Sequence, residues 1–337
     1  MYPGKYGAQH PDRPAFIMAE SGETVSYRDY EARCNKLAHL LRARGLARLD
    51  HYAIFMENHV RYLETCGAGE RAGHYYTCIN SYLTAEEVAY IVNNSESQVL
   101  ITSEYRREVA MAALADCPNV RLCIVVDGPG DGDKVVNLDE ATAEFPDTPI
   151  PDESLGTAML YSSGTTGQPK GILRPLPENL PDNPLPVFQF LMQLWQLRED
   201  IVLLLPAPLY HSAPHAAVNF TIRMGGTSII MERFDPELYL SLVEKYQVTD
   251  SQMVPTMFSR LLKPPEEVRN AYDVSSLQVV VHGAAPCPVQ VKQQMIDWWG
   301  PVIDEYYGAT EAQGVTFCNS AEWLAHPGTV GQVKFGQ

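Results

Sequence analysis

Short runs of aliphatic and β-branched residues alternate with helical patterns from one end of the chain to the other, and this alternation restricts the fold more than any other feature. Strands are expected at residues 99–102, 122–126, 157–161, 201–205, 227–231, 277–282 and 302–304. Helices with explicit start and stop signals lie between them. Ser26 with Asp29 opens one that carries Leu37, Leu40 and Leu41 and stops at Gly45. Thr84 with Glu87 forms a capping box ahead of Val88, Ile91 and Val92. Asp235 and Pro236 begin a helix over 237–246, and another over 289–299 ends at Gly300, with Trp298 and Trp299 on an amphipathic face that reads as core or partner surface. Parallel strands need a crossover connection, usually a helix, so the pattern predicts an α/β fold with mostly parallel sheets.

Length and two irregular stretches suggest the domain layout. At 337 residues a large core or two lobes is expected. Residues 128–151 are rich in Gly, Asp and Pro and read as a surface connection between halves. Residues 175–186 hold five prolines and read as a solvent-side loop. The expected division is a first α/β subdomain at 1–150 and a second at 151–320 that carries the site motifs.

The net charge of −16 leaves no basic stripe with which to meet a nucleic-acid backbone. A phosphate ligand must be met locally, by loop amides, a lysine and a metal. No leader pattern precedes the first helix, and the most apolar run, 201–205, is far too short to span a bilayer. The seven cysteines are scattered, odd in number and without CxxC pairs. They read as reduced thiols of a cytoplasmic protein without a zinc site.

Against that background one segment concentrates chemistry. Residues 161–171 read Tyr-Ser-Ser-Gly-Thr-Thr-Gly-Gln-Pro-Lys-Gly. Gly164 and Gly167 let successive backbone N–H groups converge on an anion, and Ser162, Ser163, Thr165 and Thr166 add neutral donors. Lys170 supplies one mobile positive charge. Pro169 directly before the lysine forbids the helix start of a Walker loop, so this is a different polyphosphate cradle. At the end of an expected parallel strand it would sit where α/β sheets gather ligands. A second segment, 304–311, reads Asp-Glu-Tyr-Tyr-Gly-Ala-Thr-Glu. There Tyr307 can stack on a purine, Thr310 can bond a phosphate and Glu311 can hold Mg²⁺. A third, 282–286, ends a strand in small residues, so a flat ring can approach its backbone.

Taken in order, the three segments resemble the adenylate-forming superfamily of acyl-CoA synthetases, firefly luciferases and peptide-synthetase adenylation domains. The 162–171 loop is similar to that family's phosphate signature and 307–311 to its Tyr-Gly-x-Thr-Glu signature. The likeness extends to Arg13-Pro14-Ala15 with Ser26-Tyr27, to 208–211 and to Val254-Pro255-Thr256. It implies two stacked, mostly parallel sheet-and-helix subdomains followed by the start of an incomplete β-barrel at 321–337.

The resemblance also implies the reaction. A carboxylate attacks the α-phosphate of ATP, pyrophosphate leaves, and a thiol, that of CoA, displaces AMP from the acyl-adenylate. By resemblance Ser162, Ser163, Gly164, Thr165, Thr166, Gly167 and Lys170 hold the β- and γ-phosphates. Thr310 contacts the α-phosphate, and Glu311 and Thr166 hold Mg²⁺. Gly283, Ala284 and Ala285 surround adenine, with Asp304, Glu305 and Tyr306 at its edge and Tyr307 with Gly308 against its face. His211 contacts the carboxylate and gates the pocket, while His215 and His282 stay open between structural and functional roles. The partners implied are a carboxylic acid, ATP and CoA, and the likeness admits a homodimer.

Within the family, Glu322-Trp323-Leu324-Ala325-His326-Pro327-Gly328 looks more like bacterial fatty-acyl-CoA synthetases than amino-acid adenylators. The latter need an acid near 210–220 to meet the substrate ammonium, and none is present. A luciferase-like oxygenase shares the same motifs. Where relatives carry a Ser/Thr-His pair after the Lys-Gly, this chain has Arg174-Pro175. The family continues past the equivalent of Gln337 with a ribose-binding aspartate, a hinge and a lid domain bearing a lysine. The expectation from sequence is therefore a weak or inactive nucleotide-binding fragment, with a non-catalytic scaffold as its rival.

Overall fold

The computed structural model describes residues 2–162, 168–309 and 314–336. The chain opens with α1 (Pro3–Gln9), β1 (Pro14–Met18), β2 (Thr24–Ser26) and α2 (Tyr27–Ala43). There follow β3 (His51–Phe55), α3 (Tyr62–Ala72), β4 (Tyr75–Ile79), α4 (Ala85–Asn94), β5 (Val99–Ser103), α5 (Arg107–Leu114), β6 (Leu122–Val126), β7 (Val135–Asn137) and α6 (Leu138–Thr142). Three short strands come next: β8 (Thr157–Ala158), β9 (Leu160–Ser162) and β10 (Lys170–Ile172). The rest runs α7 (Pro186–Leu194), β11 (Val202–Leu205), α8 (Ser212–Arg223), β12 (Thr227–Ile230), α9 (Pro236–Tyr246), β13 (Asp250–Met253), α10 (Pro255–Leu261), α11 (Glu266–Arg269), β14 (Val279–His282) and α12 (Val289–Trp299). It closes with β15 (Ile303–Gly308), β16 (Gly314–Cys318), α13 (Ser320–Ala325) and β17 (Gln332–Gly336). Two compact units result, one of residues 1–13, 25–185 and 209–212, the other of 14–24, 186–208 and 213–337.

The first unit holds a six-stranded parallel sheet in the order β7-β6-β5-β3-β4-β8. Every residue of β4, β5 and β6 is buried, as expected when helices cover both faces. The capping box of α4 forms on both sides: Glu87 N donates to Thr84 Oγ1 at 3.4 Å and Thr84 N to Glu87 Oε2 at 2.9 Å. That cap sets Val88, Ile91 and Val92 into a core with Phe55, Leu100 and Val125. Ser26 likewise caps α2, accepting from Asp29 N at 3.1 Å.

The second unit holds a nine-stranded sheet in the order β17-β16-β15-β14-β13-β11-β12-β1-β2, parallel from β15 to β1. Helices α9, α10 and α12 bury Tyr239, Phe258, Met295 and Ile296 against Leu204, Met253, Val280 and Ile303. Trp299 stacks on Tyr239 with centroids 6.0 Å apart, and Trp298, partly buried, carries the Arg269 guanidinium 5.3 Å from its ring.

Three expectations change. Residues 157–161 do not form one strand: β8 alone joins the parallel sheet, and β9 turns out to pair with β10. The 128–151 stretch contains β7 on the sheet edge and α6, capped by Asn137 Oδ1 accepting from Glu140 N at 2.9 Å. At the C-terminal end β16 pairs antiparallel with β15 and β17 antiparallel with β16, extending the open sheet, so no closed barrel exists among the described residues. The proline-rich 175–186 stretch is tied down by buried Leu176 and Leu185. All seven cysteines are free thiols, and among the described residues no helix is long and apolar enough to cross a membrane.

Candidate active site

The expected phosphate segment sits on a two-stranded antiparallel ribbon rather than at the end of a parallel strand. In that ribbon Ser162 stands opposite Lys170 and Tyr161 opposite Gly171. Gly171 is there for close approach, since a Cβ would lie 2.5 Å from Met159 Cε and 2.9 Å from Tyr161 Cζ. The C-terminal half of α4 anchors both strands. Tyr161 Oη donates to Asn94 Oδ1 at 2.6 Å, and Tyr90 Oη donates to the Pro169 carbonyl at 3.1 Å. Lys170 is exposed at the ribbon mouth and Ser162 is half-buried. Ser163, Gly164, Thr165, Thr166 and Gly167 lie outside the described residues, as do Thr310 and Glu311.

His211 belongs to the same unit. Its loop is pinned by Leu209 N donating to Asn58 Oδ1 at 2.8 Å, and its ring lies 4.4 Å from the ring of Tyr210. Desolvation lowers the His211 pKa below the ordinary imidazole value, so the exposed ring is neutral near pH 7. Tyr210 is raised by burial and by Tyr82, against the Arg106 charge.

In the second unit the two remaining segments meet. Strands β14 and β15 are parallel neighbours with His282 in register with Glu305, so residues 283–285 leave the sheet beside 306–308, which continue β15 and pair with β16. Gly283 is pressed onto Tyr306: an added Cβ would lie 2.8 Å from its carbonyl oxygen and 2.9 Å from ring atom Cε1. Ala284 takes φ = 67°, a left-handed conformation an alanine adopts only under constraint. Ala284 and Ala285 are exposed, and the Tyr307 ring is 67% exposed, so bare backbone and an open aromatic face are presented together.

The strand alternates two surroundings. Asp304 and Tyr306 face the end of α7, with Gln196 Nε2 donating to Asp304 Oδ2 at 3.4 Å and Trp195 6.0 Å from the Tyr306 ring. Burial pushes Asp304 up to about 6 and Tyr306 up to about 12. Glu305 accepts from Lys292 Nζ at 2.7 Å and lies 3.5 Å from His282 Nε2. Burial, reinforced by Lys292, lowers His282 to about 3, and neither of its ring nitrogens has a hydrogen-bond partner among the described residues. His215 is buried on α8. Lys292 is the residue that sequence reading passed over. Its signal was a lone lysine in the stripe 292, 295, 296 and 299, otherwise Met, Ile and Trp.

Comparison with known proteins gives the site its context. The sequence model of the family described as AMP-binding enzyme matches residues 5–337. A feruloyl-CoA synthase of Amycolatopsis sp is 33% identical over 324 residues, covering 95% of this chain and 62% of the relative. 4-Coumarate–CoA ligase 1 of Petroselinum crispum is 28% identical over 314 residues, covering 89% and 55%. Among solved structures, the N-terminal domain of FACL13 from Mycobacterium tuberculosis superposes with a TM-score of 0.82 at 23% identity, over 99% of this chain and 82% of that one. ATP-bound MatB from Rhodopseudomonas palustris gives a TM-score of 0.72 at 26% identity, over 95% and 62%. The fold is that of the large N-terminal domain of adenylate-forming enzymes, and the chain belongs to the AMP-binding enzyme family. It spans 62% and 55% of the length of the two curated relatives named.

Proposed function

We propose that this chain carries the ATP-handling and acid-handling residues of an AMP-forming acid–thiol ligase acting on an apolar carboxylic acid. The observation that carries this reading is the 283–285 turn pressed onto Tyr306 beside an open Tyr307 ring. Bare backbone next to an aromatic face suits a purine, and a Cβ at Gly283 would fill the space.

In the reaction a carboxylate oxygen bonds to the α-phosphorus of ATP and the bond to the bridging oxygen breaks, releasing pyrophosphate. A thiol sulfur, that of CoA, then attacks the acyl carbon and AMP leaves. Acid and triphosphate repel each other, so the protein's work is positioning and charge neutralisation. Ser162, Ser163, Thr165, Thr166 and Lys170 receive the β- and γ-phosphates, with the amides of Gly164 and Gly167. Thr310 meets the α-phosphate, and Glu311 with Thr166 holds Mg²⁺, which screens phosphate charge when bound. The base lies along 283–285 with Tyr307 and Gly308 against its face. Asp304 and Glu305 are engaged by Gln196 and Lys292, so they serve through backbone. His211, neutral, offers a ring nitrogen to the substrate carboxyl.

Two relatives act, by name, on hydroxycinnamic acids, while a long-chain-fatty-acid–CoA ligase of Bacillus subtilis is 26% identical over 352 residues. Both acids are apolar, and helix α8 (Ser212–Arg223) has no acidic residue to pair with an amino group. Seven unpaired cysteines favour a reducing, cytoplasmic setting.

The test is ATP–pyrophosphate exchange with ferulate, 4-coumarate, decanoate and phenylalanine. Because the relatives are longer, the chain is extended with the remaining segment of the feruloyl-CoA synthase. Exchange driven by ferulate, 4-coumarate or decanoate is the expected result. Exchange driven by phenylalanine alone, or by no acid, would overturn the reading.

A further inference from the structure

Lys292 is fully buried on α12, in the stripe that also carries Met295, Ile296 and Trp299. Its Nζ donates to Glu305 Oε2 at 2.7 Å and lies 5.2 Å from the Trp323 ring centroid, while the Glu305 side chain is 7% exposed. Removing two ions from water costs more than their attraction commonly returns, and apolar side chains of similar size would fill this core as well. Stability alone therefore does not account for the pair.

Its position does. Glu305 immediately precedes Tyr306 and Tyr307, and its register partner His282 immediately precedes Gly283. The carboxylate is thus fastened where β14 ends in the 283–285 turn and β15, paired with β16, continues into the exposed Tyr307 and Gly308. Gly283 and Tyr306 cannot shift independently at their separation, and the left-handed Ala284 is imposed by what surrounds it. Lys292 reaches Glu305 from α12 and so fixes β15 to that helix beside its parallel neighbour β14.

We propose that Lys292 and Glu305 are positioning residues for the nucleotide base: their ion pair sets Tyr306 and Tyr307 against the 283–285 turn, and through that adenine affinity. The inference rests on the nucleotide-binding reading above. The groups facing Glu305 are Lys292 from α12, His282 from β14, Cys318 from β16 and Cys287 from the loop before α12. Asp304 on its own strand and Glu322 on α13 act on the same neighbourhood. His282 is neutral, so Lys292 is the cation within hydrogen-bonding distance among the described residues.

Adenosine, which has no phosphate to titrate, is the probe, and its binding to the 337-residue chain is measured by calorimetry from about pH 7 to about pH 9, above the range in which Asp304 titrates. Wild-type affinity is expected to be flat. In Lys292→Met the orphaned buried carboxyl ionises as pH rises, and adenosine affinity falls by about tenfold across that range. Lys292→Arg restores the flat profile. Lys292→Met/Glu305→Leu removes both charges. It is expected to keep the wild-type melting temperature yet bind adenosine about tenfold more weakly at every pH. Should Lys292→Met fail to fold, this double variant decides. A double variant that binds as wild type overturns the positioning role alone. Absence of adenosine binding to the wild-type chain overturns the nucleotide-binding reading itself.

Discussion

His74 and His282 are both fully buried, and burial lowers each from the ordinary imidazole value to about 3, with Arg42 and Lys292 adding to the effect. Their folded values lie below the unfolded value, so the unfolded chain takes up protons first. Stability is intact above the unfolded imidazole value of about 6.5 and falls as pH drops below it, by roughly 3 kcal/mol for each histidine near pH 4. Asp304 acts in the opposite sense. Its folded value is raised to about 6, so its penalty is present above that pH and relieved on acidification. Thermal melting should therefore show a lower Tm at acid pH than at neutral pH. His282→Leu should shallow the loss, and Asp304→Asn should steepen it. A Tm independent of pH would contradict the assigned burial. At the same scale, Lys170→Ala and Glu311→Gln should each lower adenylation in the extended chain by about tenfold or more, from loss of one charged contact. Exchange rates unchanged in both would remove those roles.

Helix α4 shows how one element can anchor a candidate site segment. Its capping box holds the N-terminus, and Tyr90 and Asn94 near its other end hold the β9–β10 ribbon. Thr84→Ala, which removes both hydrogen bonds of the Thr84 hydroxyl with Glu87, should cost about 1 kcal/mol, and Asn94→Ala, which removes the one from Tyr161, a similar amount. Asn94→Ala should in addition speed amide exchange at 160–162 and 170–172 while leaving β5 and β6 protected. Uniform exchange across the unit would contradict the anchoring. Both capping signals were legible in the sequence because they are local, as were most strands built from Val, Ile and Leu. Strand β13 was not legible. Its Asp-Ser-Gln-Met reads as a loop, yet it lies buried in mid-sheet because Arg198 meets Asp250 at 3.0 Å and Ser251 Oγ donates to the Leu204 carbonyl at 2.8 Å. The ribbon was missed for a similar reason: the pairing of β9 with β10 spans the whole phosphate segment, and no local pattern announces it. The Lys292–Glu305 contact also depends on β15 and α12 being placed first.

The molecule as a whole carries a net charge of −16, which repels itself in the compact state. Raising sodium chloride from low to moderate concentration should therefore raise Tm by a few degrees, because screening relieves the repulsion. A fall would mean that attractive surface pairs dominate. Under the proposed function, so acidic a chain would meet a polyanion through donors gathered in one lysine-bearing segment of the sequence rather than spread over the surface. The central claim is that residues 283–285 and 306–308 receive the adenine of an acyl-adenylate. The direct test is calorimetric titration of the 337-residue chain with a stable sulfamate mimic of feruloyl- or decanoyl-adenylate, alongside the guanosine counterpart. The account predicts binding of the adenosine compound, little of the guanosine one, and a loss of about tenfold or more in Gly283→Ala, whose new methyl displaces Tyr306. No binding of either mimic, or equal affinity in wild type and Gly283→Ala, would contradict it.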